Sequence, residues 1–150
     1  MKLASAIEEK SDLGKKITDL SNRIIASGRV QEGDEPLEEC STLLIELDEV
    51  YTRLEELTRS ITKTNQLAKF NDEYSCLADA LSARNIYAKK ISVLTTILNG
   101  CAPQSRFSRT EIKFVNKLDT VTLRKEIEKL TKQKRELNTA IQEFNWIVDV

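Results

Sequence analysis

The sequence predicts a mainly α protein, an antiparallel bundle of four long helices with one small β element, and three observations carry that prediction. Apolar residues recur at alternating steps of three and four along four separate stretches, the spacing that keeps one stripe of a 3.6-residue helix apolar. Charged residues make up 31% of the chain and aromatics 5%, with only four glycines and two prolines in 150 residues. That is the composition of solvated helices. The exception is SRFSRTEIKFVNKLD, Ser105 to Asp119, where Ile112, Phe114 and Leu118 fall at even steps, the period of a strand.

The first helix is predicted over about residues 2–27, on the seam Leu3, Ala6, Leu13, Ile17, Leu20 and Ile24, which Lys10 interrupts. Gly28 is the expected stop, because glycine enters the left-handed conformation without a Cβ clash. In RVQEGDEP, Gly33 and Pro36 break the periodicity; Asp34 or Glu35 is the expected cap of a second helix over 37–65, with Pro36 in its first turn. Its seam runs through Cys40, Leu43, Leu47, Val50, Leu54 and Leu57 to Ile61.

LAKFNDEYS is too short and polar to continue that helix, and Asn71-Asp72 tolerates positive φ, so a small hairpin turn is expected there. Ser75 is the expected cap of a third helix over 76–99, with Leu77, Leu81, Arg84, Ala88, Ile91 and Leu98 on its seam. Asp119 is the expected N-cap of a fourth over 119–147, whose seam Leu123, Ile127, Leu130, Lys134, Leu137 and Ile141 is the cleanest heptad, or coiled-coil, repeat in the chain. A strand over 111–116 needs a backbone partner; Gly28–Glu32 and the hairpin arms around 67–70 and 73–76 are the expected candidates. A single domain, 1–150, accommodates all of this, since a chain of 150 residues buries about 68–70% of its unfolded surface.

The net charge of −1 conceals two polarised regions. Residues 32–56 hold ten acids against Arg53 alone, a balance of −9, and residues 104–135 hold ten bases against four acids, a balance of +6. Opposite fields of this size set register and steer association.

Histidine is absent, which removes the usual general acid or base at neutral pH and the common nitrogen ligand of zinc. An enzyme is therefore disfavoured, and no cofactor or metal is expected. Cys40, Cys76 and Cys101 are odd in number and far apart, so reduced thiols are expected rather than a metal knuckle or a disulfide framework. In MKLASAIEEKSDL, Glu8, Glu9 and Lys10 cut the apolar run short of a signal peptide. No stretch approaches the length of a membrane helix, and the expected location is the cytoplasm.

The phrases VQEGDEP after the first helix, EIKFV before the last and IQEFNW near the end, in this order and spacing, resemble the septicolysin-like family of small bacterial helical proteins. The resemblance covers essentially the whole chain. It implies a helical bacterial protein that oligomerises, and it transfers no catalytic residue. In DALSARN, Ala83 stands where a charged residue is expected from the resemblance and Asn85 where an acid is common, so a charge network around Arg84 is in doubt.

Read from the residues, Arg84, Arg106, Arg109 and Lys113 are the candidate anion-binding set, with Phe107 and Phe114 available to stack on a base. The competing reading is a solvated basic face that meets the acidic second helix of the same or a neighbouring chain. Arg84 lies on a seam, where it calls for a carboxylate or a wet cavity. Lys134 interrupts its seam as a specificity device or oligomer contact, and Trp146 is expected as a packing or interface anchor. Glu46 and Glu49 form the E-x-x-E pair of a metal-dependent hydrolase, but no second acidic pair of that spacing follows. The favoured function is a homo-oligomeric structural or interaction protein. Nucleic-acid or phosphate-ligand binding comes second and metal-dependent hydrolysis third.

Overall fold

The structure, a computed structural model, describes residues 1–101, 112 and 115–150. Four helices follow one another as α1 (Leu3–Gly28), α2 (Cys40–Leu67), α3 (Leu77–Gly100) and α4 (Thr120–Ile147). The mainly α bundle expected from the apolar seams is the observed fold.

The helix ends show which local signals decide. Asp119 caps α4 as expected, its carboxylate accepting from the Thr122 amide at 3.0 Å and from the Thr122 hydroxyl at 2.6 Å. The expected cap of α2 is corrected: neither Asp34 nor Glu35 caps it and Pro36 is not in its first turn, for the helix starts at Cys40 with Glu39 in the cap position. Glu39 accepts from the hydroxyls of Ser41 and Thr42, so the residue that serves the first turn lies three past the proline. Ser75 does not cap α3 either. Cys76 holds that position, and the Ser75 hydroxyl donates to Asp79 at 2.6 Å.

Glycine acts at a different place from the one expected. Gly28 stays within α1, whereas Gly33 has φ +94°. It closes a turn in which the Asp34 amide donates to the Gln31 carbonyl at 3.0 Å. Positive φ at the third residue of such a turn is the type II geometry that selects glycine.

The hairpin between α2 and α3 is present. Lys69 and Cys76 form an antiparallel bridge, and the Asn71 amide donates to the Tyr74 carbonyl at 3.1 Å. Its turn uses no positive φ at Asn71 or Asp72. Instead the Asn71 Oδ1 accepts from the amides of Glu73 and Tyr74, at 3.0 and 2.7 Å, an asparagine mimicking a backbone turn. These arms pair with each other rather than with the expected strand. Of 111–116, residues 111, 113 and 114 lie outside the described residues, and Ile112, Val115 and Asn116 show no ladder pairing among the described residues.

Packing divides the molecule into two helical hairpins. α1 runs against α2 and α3 against α4 along their lengths, while α1 meets α4 and α2 meets α3 over much less. The four helices share one core, built from Leu3 and Ala6, Leu57 and Ile61, Leu77 and Ala80, and Leu137 and Ile141. We call this end the junction. A second core of Leu20, Leu43 and Val50, extended by Ile17, Ile24 and Leu47, belongs to α1 and α2 alone. The chain ends close the junction: Lys2 bridges Asp149, and the Val150 amide donates to the Met1 carbonyl at 2.9 Å. Beyond it each hairpin continues as an arm of two helices. The accessible surface of the chain is accordingly 11364 Å², against about 7,800 Å² for a compact monomer of this mass.

Candidate functional site

The arms offer the largest uncovered faces, and their chemistry follows from the heptad. Residues flanking an apolar seam on either side recur every seven positions. On one flank of the α1–α2 arm, Glu9, Lys16 and Arg23 meet Arg53, Glu46 and Glu38. Arg53 grips Glu9 through Nε and Nη2 at 2.7 and 3.2 Å, Lys16 reaches Glu46 at 2.8 Å, and the Arg23 Nε donates to Glu38 at 2.9 Å. Hydrogen bonding from Arg23 and from Lys16 holds the carboxyls of Glu38 and Glu46 below their ordinary range.

The opposite flank of the same arm carries no charge. Ile7, Gly14 and Ser21 recur on α1, and Leu44, Tyr51 and Thr58 on α2. Leu44 and Tyr51 are 53% and 52% exposed, and a Cβ placed on Gly14 would meet nothing within 4 Å. The α3–α4 arm repeats the pattern in part. Lys90 faces Glu126 across one flank at 3.9 Å, while Leu81, Ala88 and Thr95 recur on the other, beside Arg124, Thr131 and Asn138 of α4, a row with one charge, at Arg124. Leu81 and Ala88 were expected on the α3 seam, but both are half-buried and Ala80 is the fully buried position. Seven residues further along these rows come Asn65 and Asn145. Their Oδ1 atoms are buried in the junction without a hydrogen-bond partner among the described residues. The same rows are thus covered at the junction and open along the arms.

The expected meeting of acidic α2 with the basic segment does not occur among the described residues. The α2 acids pair with Lys16, Arg53 and Arg59, and Glu38, just before α2, pairs with Arg23, all on their own arm. The bases of α4 stand on the other arm, at the diagonal position of the bundle.

Among the candidate residues, Arg106, Arg109 and Lys113 lie outside the described residues. Arg84 is half-buried on α3, and its one hydrogen bond among the described residues is to the Asn85 Oδ1 at 3.5 Å; the carboxylate expected for it is not among its described partners. Lys134 is half-buried on the α4 seam. Trp146 is 59% exposed, which removes core packing as its role. Glu46 is engaged by Lys16, and Glu49 is exposed.

Sequence reasoning missed one polar recess. Tyr74, Tyr87, Glu73, Gln133 and Glu136 line a cavity of about 300 Å³ where the hairpin overlies α3 and α4. Burial first, then hydrogen bonding to Glu73 and Tyr87, pushes the Tyr74 hydroxyl up to about 12. The signal was the hairpin itself, which carries Tyr74 back over the bundle. The three cysteines are free and half-buried, with Cys40 packed close to Gly28.

Fold and surface together define a mainly α protein, a four-helix bundle made of two helical hairpins. The chain belongs to a family of unknown function, DUF6847, whose model matches residues 10–150. It is also similar to a solved structure, that of a functionally unknown conserved protein from Corynebacterium diphtheriae. That chain is 34% identical, with a TM-score of 0.89 over 99% of this chain and 97% of that one. No curated protein matches.

Proposed function

We propose that this protein is a homo-oligomeric helical structural or interaction protein. The observation that carries the reading is the confinement of the shared core to one end of the helices. This leaves the uncharged flank of the α1–α2 arm uncovered, with Leu44 and Tyr51 half-exposed on it. A further row, Ile86, Val93 and Ile97, is exposed on α3. Apolar rows rimmed by charge are what protein interfaces use. The reading assigns Lys134 and Trp146 to contacts between subunits.

No helix among the described residues is long and apolar enough to cross a membrane. Free Cys40, Cys76 and Cys101 fit the reducing cytoplasm, the location this reading assigns. The likeness of VQEGDEP, EIKFV and IQEFNW to septicolysin-like proteins belongs to the same proposal and supplies no activity.

Light scattering after size exclusion tests it directly. A mass of at least two chains at micromolar concentration is expected, and a mass of one chain at every salt and concentration overturns it. The half-buried Arg84, whose described contact is only a long bond to Asn85, favours phosphate-ligand or nucleic-acid binding as the second reading. Nucleotide absorbance co-eluting with the protein and released by salt would support that reading.

A further inference from the structure

The two arms carry opposite charge. Residues 14–56, the α1–α2 arm with its loop, hold eleven acids and five bases, a balance of −6. The described residues of 88–136, the α3–α4 arm, hold nine bases and four acids, a balance of +5. Every ion pair of the arms among the described residues lies within one arm, so neither charge is neutralised by the other arm of the same chain. The flanks run along these arms with matching charge on them: Asp48 and Glu55 stand beside Tyr51 on α2, while on α4 Arg124 lies in the flank row and Arg135 beside Thr131.

We infer that two copies of this chain dock reciprocally, the acidic α1–α2 arm of each lying against the basic α3–α4 arm of the other through these flanks. The inference rests on the oligomeric reading above and specifies its partner and geometry. Three observations select a second copy with this pairing. Arms of like kind repel, −6 against −6 or +5 against +5, whereas unlike arms cancel to within a single charge. One such contact brings the complementary pair of arms together as well, so a two-fold axis makes the same contact twice and closes the assembly. Finally, the flanks are chemically matched along their length. Gly14 and Ser21 on one arm and Ala88 on the other are small enough for close helix approach, while Leu44 and Tyr51 supply apolar area to bury. Docking would extend the four-helix packing of the junction along both arms.

Charge reversal tests the pairing. One variant carries Asp48→Arg and Glu55→Arg, which makes the rim of the first arm basic. A second carries Arg124→Glu and Arg135→Glu, which makes the rim of the second arm acidic. All four residues are exposed, and circular dichroism checks that each variant keeps its helix content. Each variant alone sets like charges against each other at both contacts, and its dimer is expected to weaken at least tenfold by sedimentation equilibrium in 50 mM salt. An equimolar mixture restores attraction at both contacts, so a heterodimer of near wild-type affinity is expected. The chain with all four changes is expected to dimerise with itself. The wild-type dimer weakens as salt rises from 50 to 500 mM. A wild-type dimer whose two variants fail to complement on mixing overturns the reciprocal pairing and leaves the oligomeric reading standing. A wild-type chain that stays monomeric throughout overturns both.

Discussion

Phe70 packs edge-on against Phe144, with ring centroids 5.1 Å apart and planes inclined at 66°. The pair fastens the hairpin between α2 and α3 to the end of α4, and so joins the two hairpins at the junction. Phe70→Ala is expected to cost about 3 kcal/mol of stability, the usual loss for a packed phenylalanine. Phe70→Leu should lose about 1 kcal/mol, mainly the aromatic contact. Urea unfolding followed at 222 nm measures both, and a Phe70→Leu variant as stable as the wild type would show that the edge-to-face geometry contributes nothing.

The two cores predict different responses to the same substitution. Leu3 belongs to the shared core and Leu20 to the core of one arm, and both are fully buried. Each change to alanine should cost about 2–5 kcal/mol. Hydrogen exchange separates them: Leu20→Ala should speed exchange in residues 17–28 and 40–50, while Leu3→Ala should lower protection through all four helices. Uniform loss of protection in Leu20→Ala would mean that the arm does not open on its own.

Acid stability follows from the carboxylates. Glu38, Glu46, Asp79, Asp119 and Asp149 are held below their ordinary values, first by hydrogen bonds from Arg23, Lys16, Ser75, Thr122 and Lys2 respectively. A group depressed in the folded state contributes stability above its unfolded value, 4.5 for Glu and 3.8 for Asp. It loses that contribution as pH falls through the lower folded value. With no histidine in the chain, the urea midpoint should be flat between about pH 6 and 8 and fall only in the acid range below these carboxylate values. A fall between pH 8 and 6 would contradict this assignment.

Tyr74 gives the matching alkaline prediction. Its folded value of about 12 lies above the ordinary 10.0, so stability present below 10.0 is lost as pH rises towards the folded value. Absorbance at 295 nm should show one of the three tyrosines titrating late. Tyr74→Phe should remove that late step and leave two.

The N-cap of α4 is the simplest local test. Asp119→Ala removes the acceptor for the Thr122 amide and should lower Tm by about 2–4 °C. Asp119→Asn should retain most of it.

Much of this fold was legible because helix periodicity is a local property. The seams placed all four helices, and Asp119 was readable because the cap and its partner Thr122 lie three residues apart. The start of α2 was misread because Pro36 and Glu39 both permit a first turn. At the observed start the Glu39 carboxylate accepts from the Ser41 and Thr42 hydroxyls but from no backbone amide of the first turn, a side-chain geometry that spacing does not encode. The division into two arms was not legible either. Seam residues such as Ile17 and Leu47 look the same whether two helices cover them or four, and only the tertiary arrangement distinguishes the cases. The charge balance was visible in the chain, but which helix would neutralise it depends on the diagonal placement of α2 and α4.

Because Lys2 pairs with Asp149 across the junction, Met1 and Val150 stand side by side. A short glycine-serine tether could join them, and the chain could be reopened at the Gly33 turn, giving a circularly permuted protein with the same four helices. For the same reason, fluorophores fused at either terminus would sit together at the base of the molecule, leaving the tips of both arms clear.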